Sequence, residues 1–186
     1  FAVVDTAVTV ADTPPGIFRA FLLDGLLGRC TTVAEAVDII ESVPHLGGTA
    51  TIADATGAIA VADLATDGAV VEHVPDGGTV CRTNHFDPST VPGGSAENDA
   101  ARSNSLARLA TISGVLGTST EAPRPWPEFR DSLCDRMLTH EGPGALCKHD
   151  PSGSLTISTT VYSCSPPTML TSMGPGCESP WTEWAA

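Results

Sequence analysis

Apolar residues return along this chain with two different periods, and the switches between them mark out its elements. Residues 1–10 alternate apolar and polar positions through Val4, Asp5, Ala7, Thr9 and Val10, a two-residue period rich in β-branched side chains that predicts a strand. Asp12-Thr13-Pro14-Pro15-Gly16 breaks the run. Ile17, Phe18, Phe21, Leu22, Leu26 and Leu27 then recur at helical spacing, which predicts an amphipathic helix within 16–27. Thr32-Val33-Ala34-Glu35 has the spacing of a capping box and opens a second helix. Val33, Ala36, Val37 and Ile40 share one face of it, and Pro44 to Gly48 closes it.

The period then falls back to two. Thr49–Asp54, a Thr56-Gly57 turn and Ala58–Leu64 predict a β-hairpin. Ala69–Val74, a Pro75-Asp76-Gly77-Gly78 turn and Thr79–Asn84 predict another, giving four consecutive antiparallel strands. Their small Ala, Val and Ile side chains suit a sheet covered on both faces. After a Pro/Gly loop at 91–95, residues 96–116 predict a helix that buries Leu106, Leu109, Ile112 and Leu116. Pro127, Phe129, Leu133, Met137 and Leu138 predict a further helix, started by the proline. Leu155–Tyr162 alternates cleanly, with Leu155, Ile157, Thr159 and Val161 on one side. Thr168–Met173 is its return strand, followed by a Trp181-to-Trp184 tail. Helices grouped against antiparallel strands mean an α+β layered domain. With 186 residues and no long linker, a single domain over 1–186 is expected.

Composition narrows the partners. The chain is 41% hydrophobic and 17% charged, which is a globular balance. Its net charge is −13, with 22 acidic residues against 9 basic ones, and Lys148 is the sole lysine. Nucleic acid and anionic membrane are therefore not expected partners. No apolar run approaches the ~20 residues of a membrane span. The alternating run at the very start predicts a central strand that pairs with residues outside this chain. Six cysteines stand at 30, 81, 134, 147, 164 and 177, without a Cys-x-x-Cys pair. Cys30, Cys81 and Cys134 fall inside apolar patterns, where a thiol packs as a small hydrophobe. Reduced thiols and a cytoplasmic setting are expected, although the even count also permits disulfides.

Candidate chemistry gathers at Thr79-Val80-Cys81-Arg82-Thr83-Asn84-His85-Phe86. An Asn at a strand end offers an uncharged N–H donor at fixed geometry, as an oxyanion hole requires. Asn also starts turns for purely local reasons. His85 stands either at a site edge or packed under the following loop. Ser105 and Arg108 lie at i, i+3 on one helix face. Arg108 either anchors a carboxylate or solvates the helix. Cys147-Lys148-His149 supplies two ligand types, too few for a zinc site, so no metal and no cofactor are expected. Cys147 and Cys177 are expected to be structural rather than catalytic. His45 and His73 sit beside turns and are expected at the surface.

The order of several pieces resembles the acyl-coenzyme A:isopenicillin N acyltransferase family of N-terminal nucleophile (Ntn) hydrolases. They are the opening strand, Pro15-Gly16-Ile17-Phe18-Arg19 with its Leu-rich helix, Thr32-Val33-Ala34-Glu35-Ala36, and Thr51-Ile52-Ala53-Asp54-Ala55-Thr56-Gly57. Thr83-Asn84-His85-Phe86, Asn104-Ser105-Leu106-Ala107-Arg108, Leu146-Cys147-Lys148-His149, Thr156-Ile157-Ser158 and Gly174-Pro175-Gly176-Cys177 continue the series. The resemblance implies a four-layer αββα sandwich, the Ntn-hydrolase fold, whose N-terminal strands are missing from this chain. It implies a nucleophile exposed by self-cleavage, whose α-amine, titrating near ~7.7–8.0, acts as base. Asn84 matches the oxyanion donor, while His85, Ser105 and Arg108 match supporting or substrate-binding positions.

The family's nucleophile context is absent from these residues, and none of the six cysteines matches it. A second chain or an upstream segment is the partner expected to carry it. The expected substrates are small: an N-acyl amide, a peptide-like metabolite or an acyl thioester. Hydrolysis and acyl transfer both remain open. The alternative is a non-catalytic member whose cleft binds a ligand or a partner.

Overall fold

The computed structural model describes residues 1–8, 10, 15–44, 47–65, 67–86, 91, 98–116, 128, 140, 144–149 and 155–185. They form two compact units, Phe1–Ser105 and Leu106–Ala186. The helix expected from Pro127 lies outside the described residues, as do His45 and Cys134.

In the first unit, β1 (Ala2–Thr6), β2 (Thr49–Ala53), β3 (Ile59–Ala65) and β4 (Gly68–Val74) form an antiparallel sheet in chain order. The β2–β3 and β3–β4 hairpins follow the alternation read from the sequence. The expected fourth strand at Thr79–Asn84 does not join a ladder, and β1 supplies the fourth strand instead. Among the described residues β1 is an edge, paired with β2 alone.

Two helices cover one face. In α2 (Val33–Ser42), Thr32 and Glu35 complete the capping box, and the four buried residues are Val33, Ala36, Val37 and Ile40, as the 3.6-residue period requires. In α1 (Arg19–Leu27), which has no side-chain cap, Leu22 and Leu26 are buried while Phe21 stays 75% exposed. The helical spacing was right, but the face that reaches the sheet is narrower than the apolar run. Arg19 Nε donates to Asp5 Oδ2 at 2.6 Å, tying the start of α1 to β1.

These helices pack on Ala50, Ile52, Ala60, Ala62 and Leu64. Burying a side chain such as Ile40 or Leu64 contributes roughly 1.5–3 kcal/mol. Strand β3 is buried through both of its faces. The residues alternating with Ala60, Ala62 and Leu64 turn to the opposite side, where Ala65 packs with Val8, Phe86 and Val91. The sheet is therefore covered on its second face by the segment that carries Phe86.

Helix α3 (Asp99–Leu116) crosses from the first unit into the second. Among the described residues its buried position is Ser105, whereas Leu106 is 45% exposed and Leu109, Ile112 and Leu116 are half-buried. The apolar period therefore does not locate the buried face of this helix.

The second unit contains a meander of β5 (Ser158–Cys164), β6 (Pro167–Met173) and β7 (Trp181–Ala185). Val161 and Leu170 are register partners and both are buried. Leu155 joins only through an isolated bridge to His149, and Ile157 is 76% exposed, so the regular strand begins later than the alternation suggests. The Trp181-to-Trp184 tail is a third strand that the sequence pattern did not predict. The molecule is α+β with antiparallel sheets and, among the described residues, three helices.

Candidate functional site

The candidate site is built on residues 79–86. Gly77 takes a positive φ of 72°, and Gly78 N donates to Pro75 O at 2.8 Å, turning the chain out of β4. Side chains then hold the segment in place of a ladder. Arg82 Nη2 pairs with Glu72 on β4. Phe86 is fully buried beside Ala65 and Val8, which draws the chain over the sheet's second face rather than along its edge. That is the physical reason Asn84 does not end a strand.

Thr83 and His85 are both buried, and Asn84 between them is half-buried. His85 N donates to Thr83 O at 2.8 Å, so the backbone closes a tight three-residue turn on Asn84. The asparagine side chain reaches back along the fold, where Nδ2 donates to Ala7 O at 2.9 Å. A primary amide carries two N–H donors. The bond to Ala7 anchors the amide nitrogen against the backbone that follows β1.

Ser105, from α3, completes the cluster behind the turn. Thr83 Oγ1 donates to the Ser105 carbonyl at 3.0 Å. His85 Nδ1 lies 2.8 Å from Ser105 Oγ and 3.2 Å from Thr83 Oγ1. Buried polar groups of this kind are tolerated because each finds a partner. Thus His85 packs beneath the turn, and Ser105 braces it from a position 20 residues away. Arg108 stands one turn along α3, half-buried and in the second unit.

A second set of chemistry-bearing residues belongs to the first unit's core. Asp54 is buried, and its Oδ2 accepts from Val33 N at 2.8 Å while Oδ1 accepts from Thr56 N and Thr56 Oγ1. The Thr56 hydroxyl, then the Val33 amide, hold its carboxyl below the usual carboxylate range. Local sequence places Asp54 at the end of a strand; its bond to the start of α2 comes from the fold.

Cys30 is buried among the helix residues, and desolvation pushes its thiol above the ordinary cysteine value, so it packs rather than attacks. His73 is exposed, as expected. Around Cys147 and His149 the fold brings in His140 and Cys177, two potential ligands that local spacing did not count. Burial raises the Cys177 thiol, with Cys147 next to it adding to the shift.

A family model described as acyl-coenzyme A:6-aminopenicillanic acid acyl-transferase matches residues 2–176. No curated protein matches the chain.

Proposed function

Because the chain belongs to the acyl-coenzyme A:6-aminopenicillanic acid acyl-transferase family, we propose that it forms the oxyanion-binding part of an Ntn-type acyltransferase or amidohydrolase. The reaction passes through an acyl-enzyme, and the nucleophile is carried by a second chain or an upstream segment. The substrate is an N-acyl amide, a peptide-like metabolite or an acyl thioester. The fold proposed with it is the four-layer αββα sandwich of such enzymes.

One observation carries this reading. Asn84 sits at the centre of a tight turn between two buried, hydrogen-bonded neighbours, with its amide nitrogen anchored to the Ala7 carbonyl. A donor held this way needs little reorganisation when charge develops on a carbonyl oxygen. His85 and Ser105 act as positioning residues behind it. Ser105 is fully buried, so its hydroxyl does not meet substrate despite its contact with an imidazole. Arg108 remains a candidate for binding a substrate carboxylate.

In the mechanism that follows, the external nucleophile adds to the substrate carbonyl and the oxygen gains negative charge. The Asn84 N–H meets that oxygen more strongly than it meets the neutral carbonyl. Collapse expels the amine or thiol and leaves the acyl group on the nucleophile; water or an acceptor amine then removes it. Loss of the donor should lower kcat more than it raises KM. Steady-state kinetics of Asn84→Ala in the complete assembly should show kcat lower by about 10²–10³-fold, or roughly 3–4 kcal/mol of barrier. Asn84→Asp should be harsher, because it sets negative charge where negative charge forms. Wild-type kcat in Asn84→Ala together with a lowered melting temperature would make Asn84 a turn residue only.

A further inference from the structure

Cysteine and histidine side chains from separate stretches of the second unit converge on one point. Cys147 and His149 are two residues apart on a segment that pairs with Leu155 through the bridge at His149. Lys148 N donates to Thr156 Oγ1, and Thr156 N donates to Lys148 O, both at 2.9 Å. Residues i and i+2 of a paired extended segment project to the same side. Cys177 stands on the turn between β6 and β7, where Glu178 N and Ser179 N both donate to Pro175 O and Trp181 Nε1 donates to Gly176 O at 3.0 Å. The His140 ring centroid lies 5.0 Å from that of His149. One ligand atom from each of His140, Cys147, His149 and Cys177 lies within 4.8 Å of all the others.

From this geometry we propose a closed Cys₂His₂ site for a tetrahedral divalent transition metal, zinc foremost. With Zn–S of about 2.3 Å and Zn–N of about 2.0 Å, tetrahedral angles set two sulfurs ~3.8 Å apart and a sulfur and a nitrogen ~3.5 Å apart. Cys147 Sγ and Cys177 Sγ are 3.7 Å apart, and Cys147 Sγ is 3.5 Å from His149 Nε2. Cys177 Sγ is 3.0 Å from the same nitrogen and moves outward by roughly half an ångström to admit the ion. Two thiolates with two imidazoles select zinc over the oxygen-seeking magnesium and calcium.

A second observation points the same way. His149 turns Nε2 toward the sulfurs and Nδ1 toward Glu178, whose Oε1 is 3.4 Å away. A carboxylate on the far nitrogen is the arrangement that fixes the tautomer and orientation of a ligating imidazole. Binding replaces the two thiol protons with the ion and releases them to solvent. The ion then joins the 144–149 segment to the β6–β7 turn. It is a structural element of the second unit, independent of the acyl-transfer reading.

The test uses the full protein, purified without chelator. Elemental analysis should find about one zinc per chain. Replacing zinc with Co²⁺ should produce the intense ligand-field bands of tetrahedral cobalt with a thiolate-to-cobalt charge-transfer band. Cys177→Ser should weaken the charge-transfer band, and if that variant fails to fold Glu178→Gln serves in its place. That change keeps all four ligands and should weaken zinc affinity by about 10–100-fold, read by competition with a chromophoric chelator. Unchanged affinity in Glu178→Gln would overturn the assigned partner of His149. Protein free of zinc that gives no tetrahedral cobalt spectrum would overturn the site. So would a Cys147–Cys177 disulfide found by intact mass and peptide mapping.

Discussion

A serine hydroxyl 2.8 Å from an imidazole nitrogen has the outline of a nucleophile and its base, and burial decides against that role. Ser105 is fully covered, His85 is 5% exposed, and Thr83 Oγ1 holds the Ser105 carbonyl from the other side. Removing the hydroxyl leaves a buried imidazole nitrogen short of its best partner, which costs about 1–3 kcal/mol. Ser105→Ala should therefore lower the denaturation midpoint with a modest effect on kcat. Abolished turnover at unchanged stability would make Ser105 catalytic after all. The sequence names Asn84, His85 and Ser105 together through the order of family motifs. It does not reveal that His85 and Ser105 touch, because no local period links positions 20 apart in the chain.

At the scale of elements, the parts read best are those whose signals are local. Helix α2 carries its start in Thr32 and Glu35 and its buried face in a clean apolar period. The Thr79–Asn84 strand fails because a ladder needs a partner edge, and Phe86 draws the segment elsewhere. Strand β7 was missed because Thr182 and Glu183 interrupt a short run, while its pairing with β6 comes from across the turn. Asp54 shows the same non-locality in the opposite direction, joining the β2–β3 turn to the start of α2. Its hydrogen bonds lower its folded pKa, so its contribution is fully present above the unfolded value of about 3.9 and is lost as pH falls through the lower folded value. At neutral pH Asp54→Asn should be destabilising by about 1–3 kcal/mol, since the Val33 amide and the amide and hydroxyl of Thr56 all donate to the charged carboxylate. Denaturant titrations of both proteins from neutral to acid pH check this. The difference should hold above pH ~4 and shrink below it. A difference that grows on acidification would reverse the sign and remove Asp54's carboxylate from the account.

For the molecule as a whole, the motif order identified the family that the chain belongs to, and the family match spans residues 2–176. The α+β class was also legible, since helices and antiparallel strands differ in period. Among the described residues no helix is long and apolar enough to cross a membrane. The proposed function requires an acyl-enzyme whose nucleophile lies outside Phe1–Ala186, faced by a donor at Asn84. The most direct measurement is mass-spectrometric trapping of that intermediate in protein purified from its own cells. An activated acyl thioester and an N-acyl amide serve as probes, with acid quench and peptide mapping. One acyl group is expected on the N-terminal residue of a peptide not contained in this chain, accumulating to a lesser extent in Asn84→Ala. An acyl group mapped to Cys81, Ser105 or another residue of this chain, or no covalent intermediate during turnover, would contradict it.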